Sequence, residues 1–343
     1  MDGLDLAFAT FTLENDHWTY VLHDALTIPY DDRWKEALSN ASGLKDAESL
    51  KELDLAYGHF LGEQVRAFLQ KQPVAPLLIA SHGHTVFHRP DEGITLQIGD
   101  GQQIANHCGI PVVYDFRSQD VALGGQGAPL VPAGDRLLFG DFAAAVNLGG
   151  FSNISFEENG IRKAYDISPV NIVINALAER LGQPFDKDGT MAAGGRINAD
   201  LFQRLNALPY YRKAYPKSLG REWVEEHIFP LLEAFRIPVA DKIRTFTEHT
   251  AKMIADNVKN IKGKILFTGG GVYNKFLIHR IETMAAPAQM VIPDNKLTDY
   301  KEALIFAFLG VLRWRNEINV LASVTGASKD SCSGKIAFPE TNR

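Results

Sequence analysis

Ala143-Ala-Ala-Val-Asn-Leu-Gly-Gly-Phe-Ser-Asn-Ile-Ser-Phe-Glu157 is an aliphatic strand closed by a glycine pair and followed by the start of its hairpin partner. The amino end opens the same way: Leu4 to Phe11 and His17 to Leu22 alternate apolar with polar residues around the turn Glu14-Asn-Asp16. After each hairpin the pattern turns to strand–helix alternation. In the first half a long amphipathic helix spans Leu50 to Gln70, strands read at Pro76 to Ala80, Ile94 to Ile98 and Pro111 to Tyr114, and a short helix spans Gln102 to Cys108. In the second half helices read at 171–180, 199–208 and 241–259. A strand at Lys264 to Phe267, a helix at Asn274 to Met284 and an apolar helix at Glu302 to Trp314 complete it. Two halves with one plan predict an α/β fold of two similar lobes with a cleft between them. The first lobe is expected over 1–135 and the second over 136–316, with 317–343 returning to the first and a hinge near Pro132 to Arg136.

Composition narrows the function classes. The 343 residues carry a net charge of −6, so no basic footprint for nucleic acid is present. No apolar run approaches the roughly 20 residues that span a bilayer, and the amino end is acidic where a signal peptide is basic. Cys108 and Cys332 lie far apart without metal-ligand spacing. A cytoplasmic enzyme of about two domains, with a small-molecule substrate and neither nucleic acid nor membrane as partner, fits these facts.

Three stretches hold the chemistry. Asp115-Phe-Arg-Ser-Gln-Asp-Val-Ala-Leu-Gly-Gly-Gln-Gly-Ala-Pro-Leu-Val-Pro132 puts Arg117, Asp120 and three glycines just beyond a strand, where open α/β sheets bind ligands. Asn147-Leu-Gly-Gly-Phe-Ser-Asn153 and Thr268-Gly-Gly-Gly-Val-Tyr-Asn274 are glycine turns whose free amides suit a phosphate. Neither a GxxxxGK[ST] loop nor a GxGxxG fingerprint occurs. Asp166-Ile-Ser-Pro-Val-Asn171 precedes a helix that Ser168 and Pro169 are suited to start. Asp186 to Gly189 reads as a turn, Pro216 to Glu222 as a loop with two cations, and Glu302 as a first-turn acid of an apolar helix. His82, His84 and His88 have the spacing of a metal site but lack a carboxylate cluster.

Taken in order, these motifs resemble the anhydro-N-acetylmuramic acid kinase family. The likeness runs from Ser81-His-Gly-His-Thr85 through Asp115 to Pro132, Asn147 to Asn153, Asp166 to Asn171, Asp186 to Gly189 and Gly269 to Asn274, and ends at Thr325-Gly-Ala327. It implies two ribonuclease H-like lobes of the kind found in actin, heat-shock ATPases and sugar kinases, with a central cleft and use of ATP and Mg2+. It also implies a reaction in which water opens the 1,6-anhydro ring at C1 while O6 takes the γ-phosphoryl group, giving N-acetylmuramic acid 6-phosphate for cell-wall recycling. By position, Asn147, Gly149, Gly150 and Asn153 are expected at one phosphate loop, and Gly269, Gly270, Gly271 and Asn274 at a second nucleotide turn. Arg117, Asp120 and Glu302 are expected at the sugar, and a homodimer is suggested by the family alone.

The chain departs from the family pattern twice. The family's first strand leads into a loop of the form G-x-M-S-G-T-S-x-D-G, whereas this sequence reads Met1-Asp-Gly-Leu-Asp5. Only Asp2, expected to act through Mg2+, and Gly3 remain of that phosphate loop. Loss of a strand from the middle of the first sheet would expose two rows of backbone groups. The second departure is Asn175, which stands where the family places the aspartate that activates water. An amide cannot accept that proton, which leaves Asp166, Asp188 and Glu302 as carboxylates for the part. The alternative function is a weak or inactive relative that binds sugar or nucleotide without turnover.

Overall fold

The computed structural model describes residues 3–44 and 46–340. In chain order, β1 (Gly3–Glu14) and β2 (His17–Pro29) form an antiparallel hairpin with one bulge between Phe8 and Ala9. Helices α1 (Asp32–Asn40) and α2 (Ala47–Leu69) follow, each capped by an aspartate side chain, Asp31 and Asp46, that accepts from an amide of the first turn. Next come β3 (Ile79–Ala80), the hairpin β4 (His84–Arg89) and β5 (Ile94–Ile98), α3 (Gly101–Cys108), β6 (Val112–Tyr114), α4 (Ser118–Ala122) and α5 (Val131–Leu138). The second half contains β7 (Ala144–Leu148), β8 (Phe151–Glu158), β9 (Ile161–Pro169), α6 (Asn171–Glu179), α7 (Thr190–Gly194) and α8 (Ala199–Asn206). It continues with α9 (Arg221–Trp223), α10 (Phe229–Glu233), α11 (Val239–Val258), β10 (Lys264–Thr268), α12 (Lys275–Ala285) and β11 (Gln289–Val291). Last are α13 (Asn295–Trp314), α14 (Ala322–Thr325) and β12 (Lys335–Ala337).

The chain forms two compact units, Met1–Leu138 with Tyr300–Arg343, and Phe139–Asp299. The divisions fall at 138/139 and 299/300, where the sequence suggested 135/136 and 316/317. The carboxyl-terminal difference has a clear cause. Phe308 of α13 packs on Phe11 and Trp18, with ring centroids 5.2 and 5.1 Å apart, so this helix enters the first core. An apolar helix does not announce which of two cores it will join. The expected hinge at 132–136 is instead the first turns of α5, where Pro132 sits harmlessly because an amino-terminal turn needs no donor. A buried ion pair, Lys301 Nζ to Asp135 Oδ1 at 2.8 Å, holds that helix to α13. Among the described residues no helix is long and apolar enough to cross a membrane.

The second unit has one five-stranded sheet in the order β11-β10-β7-β8-β9. Strands β7, β8 and β9 run as an antiparallel meander, and β10 and β11 lie parallel to β7. This mixed α/β arrangement is the ribonuclease H-like order that the resemblance implies. Its middle strand is buried on both faces, with Ala144, Ala145, Val146 and Leu148 at 4% exposure or less. The adjoining core gathers Val173, Ile174 and Leu177 of α6 with Ile243, Phe246 and Ile254 of α11.

The first unit carries related pieces in three smaller sheets: β1-β2, β12-β6-β3 and β4-β5. Here β3 is parallel to β6, and β12 runs antiparallel to it. Among the described residues no strand joins β1 to β3. The core under these sheets is aromatic: Tyr30, Trp34, Tyr57 and Phe60 meet at centroid distances of 4.9 to 6.4 Å.

Candidate functional site

In the second unit, strand register assembles a polar row. Thr268 pairs with Asn147, Asn147 with Asn153, and Asn153 with Asp166. Directly paired residues project to the same face, so four polar side chains line up across β10, β7, β8 and β9. A bulge makes the last pairing: Ser152 opposes Ser168 while the next residue, Asn153, opposes Asp166, which leaves Ile167 as the extra residue. The Thr268 hydroxyl is fully buried and has no hydrogen-bond partner among the described residues.

Two glycine turns pack together beside this row. Gly269 has φ +87°, and a Cβ there would lie 2.6 Å from Asn147 Oδ1 and 2.8 Å from the Leu148 carbonyl oxygen. A Cβ on Gly271 would lie 2.7 Å from that of Leu148. By contrast, nothing lies within 4 Å of a Cβ on Gly270, and only Ile172 comes near one on Gly150. The turns are therefore tight toward the protein and open on one side, as a backbone cradle for an anion must be. Gly149 and Gly150 accept from Asn171 and Ile172 through their carbonyls, which ties the first turn to the start of α6. Asn274 accepts from Leu277 N at 2.9 Å and caps α12, so its side chain serves the helix. A Cβ on Gly189 would collide with Asn274, which brings the 186–189 turn to the same place. In that turn Asp188 pairs with Lys275 at 3.0 Å.

Asp166 has an elaborate setting. Its Oδ2 accepts from Leu219 N at 2.8 Å, and its carbonyl accepts from the Tyr210 hydroxyl at 2.6 Å. Burial raises its pKa, against the opposing effect of the Leu219 bond. Lys217 Nζ lies 5.3 Å from the Tyr165 ring and 5.0 Å from the Tyr210 ring, and burial lowers its pKa. The 216–222 loop was legible as a cationic loop, but its partners Tyr165 and Tyr210 were not singled out. Asn175 is half-buried on α6, one turn beyond Asn171 and on the same flank.

The first unit holds the Arg117 group. Arg117 Nε and Nη2 donate to His82 Nε2 at 3.1 and 2.7 Å, and Nη1 donates to the Gly127 carbonyl at 2.6 Å. Burial and the adjacent guanidinium push His82 down to about 3, so the ring is a neutral acceptor and not part of a histidine metal cluster. Glu302 opens into a cavity that Asp5, His82 and Phe306 also line. The crowded walls raise its pKa, while Arg117 opposes the shift and Asp5 adds to it. Glu302 stands seven residues into α13, not at its start, because the polar run Asn295 to Lys301 disguises the first two turns.

Asp120 is fully buried. Its Oδ2 accepts from Gly127 N and its Oδ1 from Thr325 Oγ1, both at 2.8 Å. The sequence pointed it at the sugar; the geometry has it bracing the glycine loop. Gly3 is likewise a strand residue, paired with Pro29 at the start of β1. Asp2, the expected metal ligand, lies outside the described residues.

The family model of the anhydro-N-acetylmuramic acid kinases matches residues 1–339. A relative of that name from Vibrio cholerae serotype O1 is 35% identical over 364 residues, covering 99% of this chain and 96% of its own. One from Mannheimia succiniciproducens is 36% identical with the same coverage. Among solved structures, an activator of 2-hydroxyisocaproyl-CoA dehydratase from Clostridium difficile with bound ADPNP is 13% identical, covers 68% of this chain and 92% of its own, and gives a TM-score of 0.37. A Parabacteroides distasonis glucokinase is 14% identical, with 83% and 78% coverage and a TM-score of 0.28.

Proposed function

The chain belongs to the anhydro-N-acetylmuramic acid kinase family, and from that premise we propose that it transfers the γ-phosphoryl group of ATP to O6 of anhydro-N-acetylmuramic acid or a close relative. The single observation that carries the nucleotide half is the pair of one-sided glycine turns beside the row Thr268, Asn147, Asn153 and Asp166. The open space beside Gly150 and Gly270 and the orphaned Thr268 hydroxyl suit a phosphate chain. Gly149 and Gly271 keep the turns narrow, and Asn274 fixes the helix that follows. Mg2+ supplies charge neutralisation of the transferred group when bound, and Asp2 is its proposed carboxylate.

The sugar half rests on Arg117 and Glu302. In the proposed reaction water adds to C1, the C1–O6 bond breaks, O6 takes the phosphoryl group, and the water proton goes to a carboxylate. Asp188 is ion-paired and Asp166 is held by Leu219 N, whereas Glu302 faces the cavity with the Arg117 charge acting on it, and burial raises its pKa. We assign it that part in place of Asn175. The test is sugar-dependent ADP release. Glu302→Gln is expected to lower the rate by about 10²-fold or more, and Asn175→Asp to raise it by a similar factor. No ADP above background from either the native chain or Asn175→Asp, with any anhydro-sugar, would overturn the kinase reading. Asn175 also favours a second reading, a ligand-binding relative without turnover. Calorimetric binding of sugar by a chain that stays inactive would select it.

A further inference from the structure

Helix α2 meets the α3 segment closely at two points one turn apart. A Cβ on Gly58 would lie 2.7 Å from the Asp100 amide nitrogen and carbonyl oxygen, and one on Gly62 would lie 2.7 Å from Cβ and Cδ2 of His107. Two glycines at i and i+4 thus make a groove in α2 that the α3 segment fills. The residue after each glycine is a metal-ligating type, His59 and Glu63, so both side chains leave the same flank of the groove, one turn apart.

His107 reaches this flank from α3. Its Nε2 lies 2.9 Å from His59 Nδ1, with ring centroids 4.2 Å apart, and His59 Nε2 lies 3.4 Å from Glu63 Oε1. One ligand atom from each of the three residues falls within 4.8 Å of the other two. Ligand atoms at about 2.0–2.1 Å from a tetrahedral ion stand about 3.3 Å apart, so a turn of the His59 ring closes the set. That ring has room to turn, since the side chains of His59 and Glu63 are 54% and 56% exposed. Of the two facing imidazole nitrogens one donates and the other accepts; a cation in the proton's place would accept from both rings.

The neighbouring thiol stays out of the set. Cys108 Sγ donates to the Gly62 carbonyl at 3.6 Å, and burial pushes it up to about 11, whereas a metal ligand is the thiolate. None of the three residues lines the cavity that Glu302 faces. Two imidazoles and one carboxylate are the donor set of open zinc sites, while Mg2+ takes carboxylates, phosphates and water.

We propose that His59, Glu63 and His107 hold one Zn2+ ion, with water in the fourth position, and that the ion staples α2 to α3.

The experiment is calorimetric titration of Zn2+ into the chelator-stripped full chain, without ATP or sugar. One ion per chain is expected, with a Kd below about 10 μM. About 10 mM Mg2+ should not displace it. His59→Gln and His107→Gln are each expected to weaken binding by at least about tenfold, and His88→Gln to leave it unchanged. His59 is on the exposed side, so its variant keeps the test sound if loss of His107 loosens α3. At 100 times Kd an ion bound only to the closed helix pair slows opening-limited exchange by up to about hundredfold. Amides of Gly101–Cys108 should therefore slow by at least about tenfold in hydrogen exchange, while β7 to β11 stay unchanged. No Zn2+ binding, displacement by Mg2+, or less than tenfold weakening in either ligand variant overturns the proposal. So does binding without slower exchange in α3, since the ion would then not staple the helices. One Zn2+ per two chains, with a dimer mass that appears only with the metal, would make the cluster a bridge between copies and also overturn it.

Discussion

Asp120→Asn is the sharpest probe of the glycine loop. The native carboxylate, fully buried, accepts one bond on each oxygen, from Gly127 N and from Thr325 Oγ1. An amide of the same shape keeps one acceptor for Gly127 N and turns an NH2 toward the Thr325 hydroxyl, which can accept it only by giving up its own donation to residue 120. Hydrogen bonds to charged groups contribute about 1.5–3 kcal/mol, and a stranded buried donor costs about 1–3 kcal/mol. Because these overlap, the expected loss is about 2–4 kcal/mol. Thr325→Val removes one donor and should cost about 1–2 kcal/mol alone. Both single losses contain the charge-assisted Asp120–Thr325 bond, which a neutral amide–hydroxyl contact replaces only in part, so the two losses should fall short of their sum by at least about 0.5 kcal/mol. Urea unfolding followed by fluorescence reads this unit, since Trp18, Trp34 and Trp314 lie in it and Trp223 does not. Strict additivity, or a loss below about 0.5 kcal/mol for Asp120→Asn, would refute the bracing role.

Two other perturbations separate structure from ligand in the second unit. Gly269→Ala forces a side chain into φ +87° and against the Leu148 backbone; it should cost about 2–4 kcal/mol. Gly270→Ala meets nothing within 4 Å and should stay within about 0.5 kcal/mol of native while weakening ATP binding in calorimetry. Unchanged affinity would remove the phosphate from that face. His249 is enclosed by Asn206 Oδ1 at 2.6 Å and the Tyr211 hydroxyl at 2.9 Å, and burial lowers its pKa to about 3. Its folded pKa lies below the unfolded value of about 6.5, so its stabilisation is complete above pH 6.5 and is lost as pH falls toward 3. Trp223 fluorescence should therefore show a steeper acid loss in the native chain than in His249→Gln, by up to about 1.4 kcal/mol per pH unit; equal slopes would contradict it.

What could be read beforehand follows the range of the interactions. Local patterns gave the hairpins, the amphipathic α2 and the glycine turns at 149–150 and 269–271, because alternation, helical spacing and turn chemistry are written in adjacent residues. The polar row was invisible, since it depends on the register of four strands and on a bulge at Ile167. The bracing bond of Asp120 could not be foreseen because its partner Thr325 lies 205 residues away. Glu302 was placed at a helix start because Asn295 to Lys301 is polar, although Thr298 and Lys301 are buried.

The extra residue at Ile167 divides β9 into two independently indexed lengths. Upstream, Ile161 to Asp166 keep step with the outer part of β8; downstream, Ser168 and Pro169 keep step with Phe151 and Ser152, just ahead of α6. The position of the Asp166 carboxylate and the launch angle of the helix bearing Asn175 can thus drift separately during descent. A substitution on one length could thus shift its carboxylate or its helix without disturbing the other.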